Sequence, residues 1–105
     1  MTETQVLITI TAGTPIPLTA THIMACKVSA QLLSGTGPLA YVGGLLLNKS
    51  TKAGMSGQLT IGASGNPGAS FNKEDQQNCN TIDTSTILFD GDHSGDQILA
   101  TYSQA

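Results

Sequence analysis

The stretch Asp90-Gly91-Asp92-His93-Ser94-Gly95 comes nearest of any in this chain to a motif with chemistry in it. It copies the opening of a calcium loop, with oxygen-bearing side chains at its first, third and fifth positions and glycine at the sixth. A calcium ion wants six to eight oxygens, and the helix–loop–helix site closes with a bidentate glutamate at position twelve. Counted from Asp90, that position is Thr101, and the flanking residues alternate as strands do. Asp and Gly also supply the left-handed geometry and side-chain caps of a tight turn. The residues therefore predict a turn shaped by Asp90, Asp92 and Asp96, with no structural ion and no cofactor.

The other candidates fall on spacing. His22 and His93 are the only imidazoles, and Cys26 and Cys79 the only thiols. Together they number the four ligands of a zinc site, but neither pair has finger spacing, so a buried Cys and a strand-edge His are expected instead. No G-x-S-x-G elbow occurs, since Gly62-Ala63-Ser64-Gly65 misses it. Acids between Asp83 and Asp96 could be paired for glycoside chemistry, but acids in a turn normally face solvent. No glycine-rich loop leads into a helix and a lysine. The residues of an enzyme are not assembled here, and the chain is read as a non-enzyme.

Composition points the same way. Only 10% of the 105 residues are charged, with four lysines, no arginine and a net charge of −3, against roughly 25% charged in an ordinary domain. Phosphate backbones require clustered Lys and Arg, so direct nucleic-acid binding is not expected. No run nears the ~18 apolar residues of a membrane span. Aromatics are 4%, which predicts a thin aliphatic core helped by burial in an oligomer. Met1-Thr2-Glu3-Thr4-Gln5 carries no basic leader signature. Synthesis in a reducing cytoplasm is the expectation, and there Cys26 and Cys79 would stay as buried free thiols.

The elements that must position these residues read as strands. Thr4, Val6, Ile8 and Ile10 alternate with Gln5, Leu7, Thr9 and Thr11 up to the break at Ala12-Gly13-Thr14-Pro15-Ile16-Pro17. His22, Met24, Cys26, Val28, Ala30 and Leu32 form the inward face of one long predicted strand, which fits better than a helix. Ser34-Gly35-Thr36-Gly37-Pro38 predicts a hairpin turn into Leu39-Ala40-Tyr41-Val42, closed by Gly43-Gly44. Leu45-Leu46-Leu47 has no clear character and leads into a polar loop. Short strands are expected at Leu59-Thr60-Ile61 and around Phe71, and Ile82, Thr84 and Thr86 alternate with Asp83 and Ser85 before the apolar Ile87-Leu88-Phe89. Residues 73–80 form a loop or at most one helical turn. The last strand, from Gln97 to Tyr102, puts Ile98, Ala100 and Tyr102 on one face. Six to eight short antiparallel strands in one domain over residues 1–105 predict an all-β sandwich or jelly-roll-like barrel.

Thr is the abundant residue, and its branched Cβ suits a strand while its hydroxyl keeps a surface wet without charge. Few charges leave little repulsion against side-by-side association.

The order of segments resembles small structural proteins of tailed bacteriophage virions. The likeness lies in Gly13-Thr14-Pro15-Ile16-Pro17-Leu18-Thr19, Tyr41-Val42-Gly43-Gly44, Ile87-Leu88-Phe89-Asp90-Gly91 and the closing strand near Tyr102. That resemblance implies a compact β-sandwich acting as a capsid cement or decoration subunit on the head exterior. Its partner would be the major capsid protein or another virion protein, and it would act as a homo-oligomer with a trimer favoured. A neck, tail or head-spike component is the alternative, and a carbohydrate-binding β-sandwich module is the reading from a different class. Leu45-Leu46-Leu47 and the loop with Lys49 and Lys52 depart from the pattern, so Leu45, Leu46, Leu47, Lys49 and Lys52 are the expected contact residues.

Overall fold

The computed structural model describes residues 2–34, 40–60, 70–75 and 80–104. In chain order they form β1 (Thr2–Thr9), β2 (Ile16–Pro17), β3 (Met24–Ala25), β4 (Lys27–Ser34), β5 (Ala40–Asn48), β6 (Ala53–Leu59), β7 (Ser70–Glu74), β8 (Ile82–Asp83), a 3-10 turn (Thr84–Thr86), β9 (Leu88–Gly91) and β10 (Gln97–Gln104). One sheet has the order β1-β10-β4-β7 and the other β2-β9-β5-β6, while β3 and β8 make a small separate ladder. Every pairing is antiparallel. Seven of the ten strands have four or more residues, so the expected all-β antiparallel sandwich is what forms. Its extents are 36 × 33 × 19 Å, and the short axis fits two sheets ~10 Å apart with side chains on their outer faces.

Alternation drives this packing. In β10, Ile98, Ala100 and Tyr102 turn inward, and across the ladder they meet Ile8, Val6 and Thr4 of β1 on one side and Leu32, Ala30 and Val28 of β4 on the other. From the facing sheet Ala40, Val42, Leu59 and Phe89 close the same core. Phe89 is completely buried, Tyr102 joins it in the same core and Phe71 packs against it, so the few aromatics are concentrated where they bury most area.

Several expectations change, and the alternating run from Ile82 is broken by the 3-10 turn at Thr84–Thr86. The long strand from His22 to Leu33 is two strands, because the chain leaves the β3–β8 ladder and enters the first sheet at Cys26. The inward phase flips there: Met24 is exposed and Ala25 buried, whereas Val28, Ala30 and Leu32 are buried. The Cys26 backbone is held at this step, its N–H donating to Ser103 O at 2.7 Å and its carbonyl accepting from Asp75 N at 2.9 Å.

The predicted hairpin between β4 and β5 does not form. β4 pairs with β10 and β7, while β5 pairs with β6 and β9, so the connection crosses from one sheet to the other. A glycine-rich turn permits either outcome, and burial of both strands' apolar faces against each other selects the crossover.

Cys26 is not a free thiol but is disulfide-bonded. The chain's only other cysteine is Cys79, which lies outside the described residues, as do Leu39, Ile61 and the loop glycines near position 65. Among the described residues no helix is long and apolar enough to cross a membrane.

Candidate functional site

β5 does not stop at Gly43-Gly44 but runs on to Asn48, and the two glycines serve a different purpose. Gly43 pairs with Met55 and Asn48 with Ala53. The first strand thus takes five steps (48 − 43) where its partner takes two (55 − 53), leaving three extra residues on β5. Such a bulge re-aims side chains. Here it throws Leu45 and Leu46 outward, 70% and 81% exposed, and turns Leu47 into the core at 5%.

Glycine is required on both sides of the bulge. A Cβ on Gly43 would collide with the Gly54 carbonyl, and one on Gly54 would lie 2.7 Å from the Leu46 carbonyl carbon. Gly54 also has φ +69°, in the left-handed region that favours glycine. Beside the bulge runs a groove of about 640 Å³ lined by Val42, Gly44, Leu45, Leu46, Phe71 and Ile87, among others. It joins the exposed leucines to the margin of β7 in the other sheet.

Lys49 and Lys52 lie in the turn that closes this hairpin, and they are already engaged. Lys52, at φ 63°, folds its side chain back so that Nζ donates to Tyr41 Oη at 3.0 Å and sits 4.1 Å from the ring centroid. Tyr41 Oη in turn donates to Asp92, 3.1 Å from both carboxylate oxygens. Lys49 Nζ is 3.9 Å from Asp92 Oδ1. Tyr41 is buried, so this cluster covers the outer side of β5 and fixes the base of the hairpin. Of the five expected contact residues, Leu45 and Leu46 are presented outward together, Leu47 is buried, and Lys49 and Lys52 brace the turn.

Asp90 and Gly91 belong to β9 and the turn begins at Asp92. Asp90, Asp92 and Asp96 all act as hydrogen-bond acceptors, and Asp90 and Asp96 are buried where acids in a turn were expected to face solvent. Asp90 is buried, and its Oδ1 accepts from Gly13 N at 2.9 Å and Gly91 N at 2.8 Å, clasping the Gly-Pro break against β9. Asp92 accepts from Tyr41. The Asp96 carbonyl accepts from Ile10 N at 2.8 Å. Among the described residues no group of three His, Cys, Asp or Glu side chains is placed to hold a metal ion.

One constellation escaped the sequence reading. His22 Nδ1 lies 2.6 Å from Asp83 Oδ2 and 2.9 Å from Ser85 Oγ, and Ser85 Oγ donates to Asp83 Oδ1 at 2.7 Å. The residue types are those of a catalytic triad, but the geometry is not. A relay needs the imidazole to hold the acid on one nitrogen and the nucleophile on the other, whereas here both meet Nδ1. Asp83 also accepts from Ser85 N at 3.0 Å, so it caps the 3-10 turn. The Ser85 hydroxyl first, and His22 second, hold the Asp83 carboxyl below its ordinary value of 3.8. Asp83-Thr84-Ser85 is a capping signal legible in sequence, while the approach of His22 from 61 residues away is not.

Comparison with protein-family models, with curated proteins and with solved structures finds no match to this chain.

Proposed function

We propose that this chain is a virion structural protein, a capsid cement or decoration subunit whose contact element is the Leu45–Leu46 bulge. The observation that carries the reading is the presentation of two adjacent leucines on a glycine-built bulge braced by Tyr41, Lys52 and Asp92. A bulge that costs ladder hydrogen bonds and exposes leucine is unfavourable for an isolated monomer. It becomes favourable when a partner covers it, since contiguous exposed apolar patches mark contact surfaces. The adjoining groove supplies a second apolar wall, and the low surface charge permits close neighbours. The partner is the major capsid protein, and several copies, with three favoured, would bridge adjacent capsid subunits. Apolar burial at about 25 cal/mol per Å² then supplies the binding energy, and exposed ion pairs contribute little.

Leu46→Asp tests this directly. The variant should fold with an unchanged melting curve yet be lost from particles, and particles without it should assemble but rupture at lower temperature. Binding of the native chain to stripped heads should weaken only modestly as salt rises, because screening acts on exposed charges. Stripped particles that keep their heat resistance but fail to join tails or attach to cells would move the protein to the neck, tail or spike.

A further inference from the structure

The outer face of the β1-β10-β4-β7 sheet has its own chemistry, although Phe71 and Asn72 of β7 also border the groove beside the Leu45–Leu46 bulge. Because Val28, Ala30 and Leu32 point into the core, Ser29 and Gln31 point out, and the register carries the same parity across the sheet. Gln5, Thr101, Ser29 and Asn72 make one cross-strand row, and Leu7, Leu99, Gln31 and Ser70 make the next. Rows on one face of a sheet lie about 6.6 Å apart, and strands about 4.8 Å apart. The result is a grid of hydroxyls and carboxamides beside an apolar pair, Leu7 and Leu99. Where β10, β4 and β7 meet, the grid dips into a concavity of about 300 Å³ lined by Ser29, Gln31, Asn72, Leu99 and Thr101 among others, with Lys27 its one charged residue. Lys27 stands at one end, opposite Glu74 in the β4–β7 register.

Two properties narrow the occupant. First, among the described residues the side chains of Gln5, Ser29, Gln31, Asn72 and Thr101 show no hydrogen bond, so their donors and acceptors are open to a ligand. Asn72 and Gln31 each offer an amide donor and a carbonyl acceptor, and the hydroxyls offer both. Second, the lining is nearly uncharged, which suits neither phosphate nor a cation. The concavity stands at the small end of ligand sites, which run from about 300 to 1,000 Å³. That is room for a ring or two of a small ligand and too narrow for a protein element. A neutral sugar matches this, with hydroxyls that both donate and accept around a C–H face able to lie on Leu99.

We propose that this face is a binding site for neutral oligosaccharides, with Ser29, Gln31, Asn72 and Thr101 holding the sugar hydroxyls and Leu99 supporting the ring. The site is open, and Phe71, the one aromatic in its lining, is packed against the core, so its affinity is millimolar, and several copies on one particle would raise it by avidity.

The test is a nuclear magnetic resonance titration of the isotope-labelled full chain with maltohexaose, cellohexaose and hexa-N-acetylchitohexaose. At least one should shift the amides of Ser29, Gln31, Asn72 and Thr101, with a midpoint that does not move with salt. Asn72→Ala and Gln31→Ala lie at exposed positions, and either should weaken that midpoint by about tenfold, whereas Leu46→Asp should leave it alone. The proposal is overturned if none of the three sugars shifts these residues, or if the shifts lie elsewhere. It is equally overturned if both alanine variants bind like the native chain. Concentration-dependent shifts of the same amides without sugar would assign the face to a second copy of the chain instead.

Discussion

Asp83 shows how one carboxylate ties three segments together and makes their docking sensitive to acid. Ser85 and His22 hydrogen-bond its charged form, and its carboxyl is held below 3.8 for that reason. A depressed folded value means that the unfolded chain takes up the proton first as pH falls. The stabilisation is therefore complete above the ordinary value and is lost as pH drops through the lowered one. Native protein should melt above Asp83→Ala at neutral pH, and the gap should close under strongly acidic conditions. A gap that stays constant from neutral pH into acid would show that the charged form is not favoured. Tyr41 makes a second residue-scale case. Tyr41→Phe removes a buried hydroxyl shared by Asp92 and Lys52, and hydrogen bonds to charged groups contribute about 1.5–3 kcal/mol. A urea midpoint lowered to that extent with an unchanged slope is the expected result.

At the scale of elements, the bulge in β5 separates what local pattern can specify from what it cannot. The strands β1 and β10 were legible because strict alternation exposes one face and buries the other, and the turn ahead of Gln97 because Asp and Gly have turn geometry of their own, although Asp90 and Gly91 pair in β9 and the turn begins only at Asp92. The bulge was not legible, since three surplus residues exist only relative to the register of β6. Leu45-Leu46-Leu47 therefore gave no period, and Gly43-Gly44 was expected to end a strand that in fact continues. Met24 was misassigned for a related reason: the chain changes ladders at Cys26, and a one-residue step reverses every side chain beyond it. Of the contact candidates, Leu45 and Leu46 are presented outward and Leu47 is buried. Gly54→Ala should destabilise the protein by about 1–3 kcal/mol, because it places a Cβ at positive φ against the bulge backbone. Leu46→Asp should change stability by no more than about 0.5 kcal/mol, as exposed substitutions usually do. Chemical denaturation of the two variants side by side checks both, and a Leu46→Asp variant as unstable as Gly54→Ala would place that side chain in the fold instead of on its surface.

For the whole molecule, the radius of gyration of 13.1 Å is close to the ~13 Å expected of a compact chain this long, so the sandwich closes on itself despite its few aromatics. Part of the reason is covalent. Cys26 stands where the chain passes from the small ladder into the first sheet, and it is disulfide-bonded. Cys79, the only other cysteine, is 53 positions away (79 − 26). Closing a loop of that length removes unfolded-state entropy equivalent to about 4 kcal/mol in the chain-entropy treatment, a large fraction of the 5–15 kcal/mol that holds a domain folded. The expectation of free thiols rested on a reducing cytoplasm, where such bridges rarely persist. Intact mass after alkylation without reductant should show neither cysteine labelled in protein kept under air. Adding a phosphine reductant should lower the melting temperature by several degrees or more, and Cys26→Ser should melt at the reduced value whether or not reductant is present. Two labelled cysteines in protein kept under air, or identical melting with and without reductant, would show that packing alone holds the sandwich together.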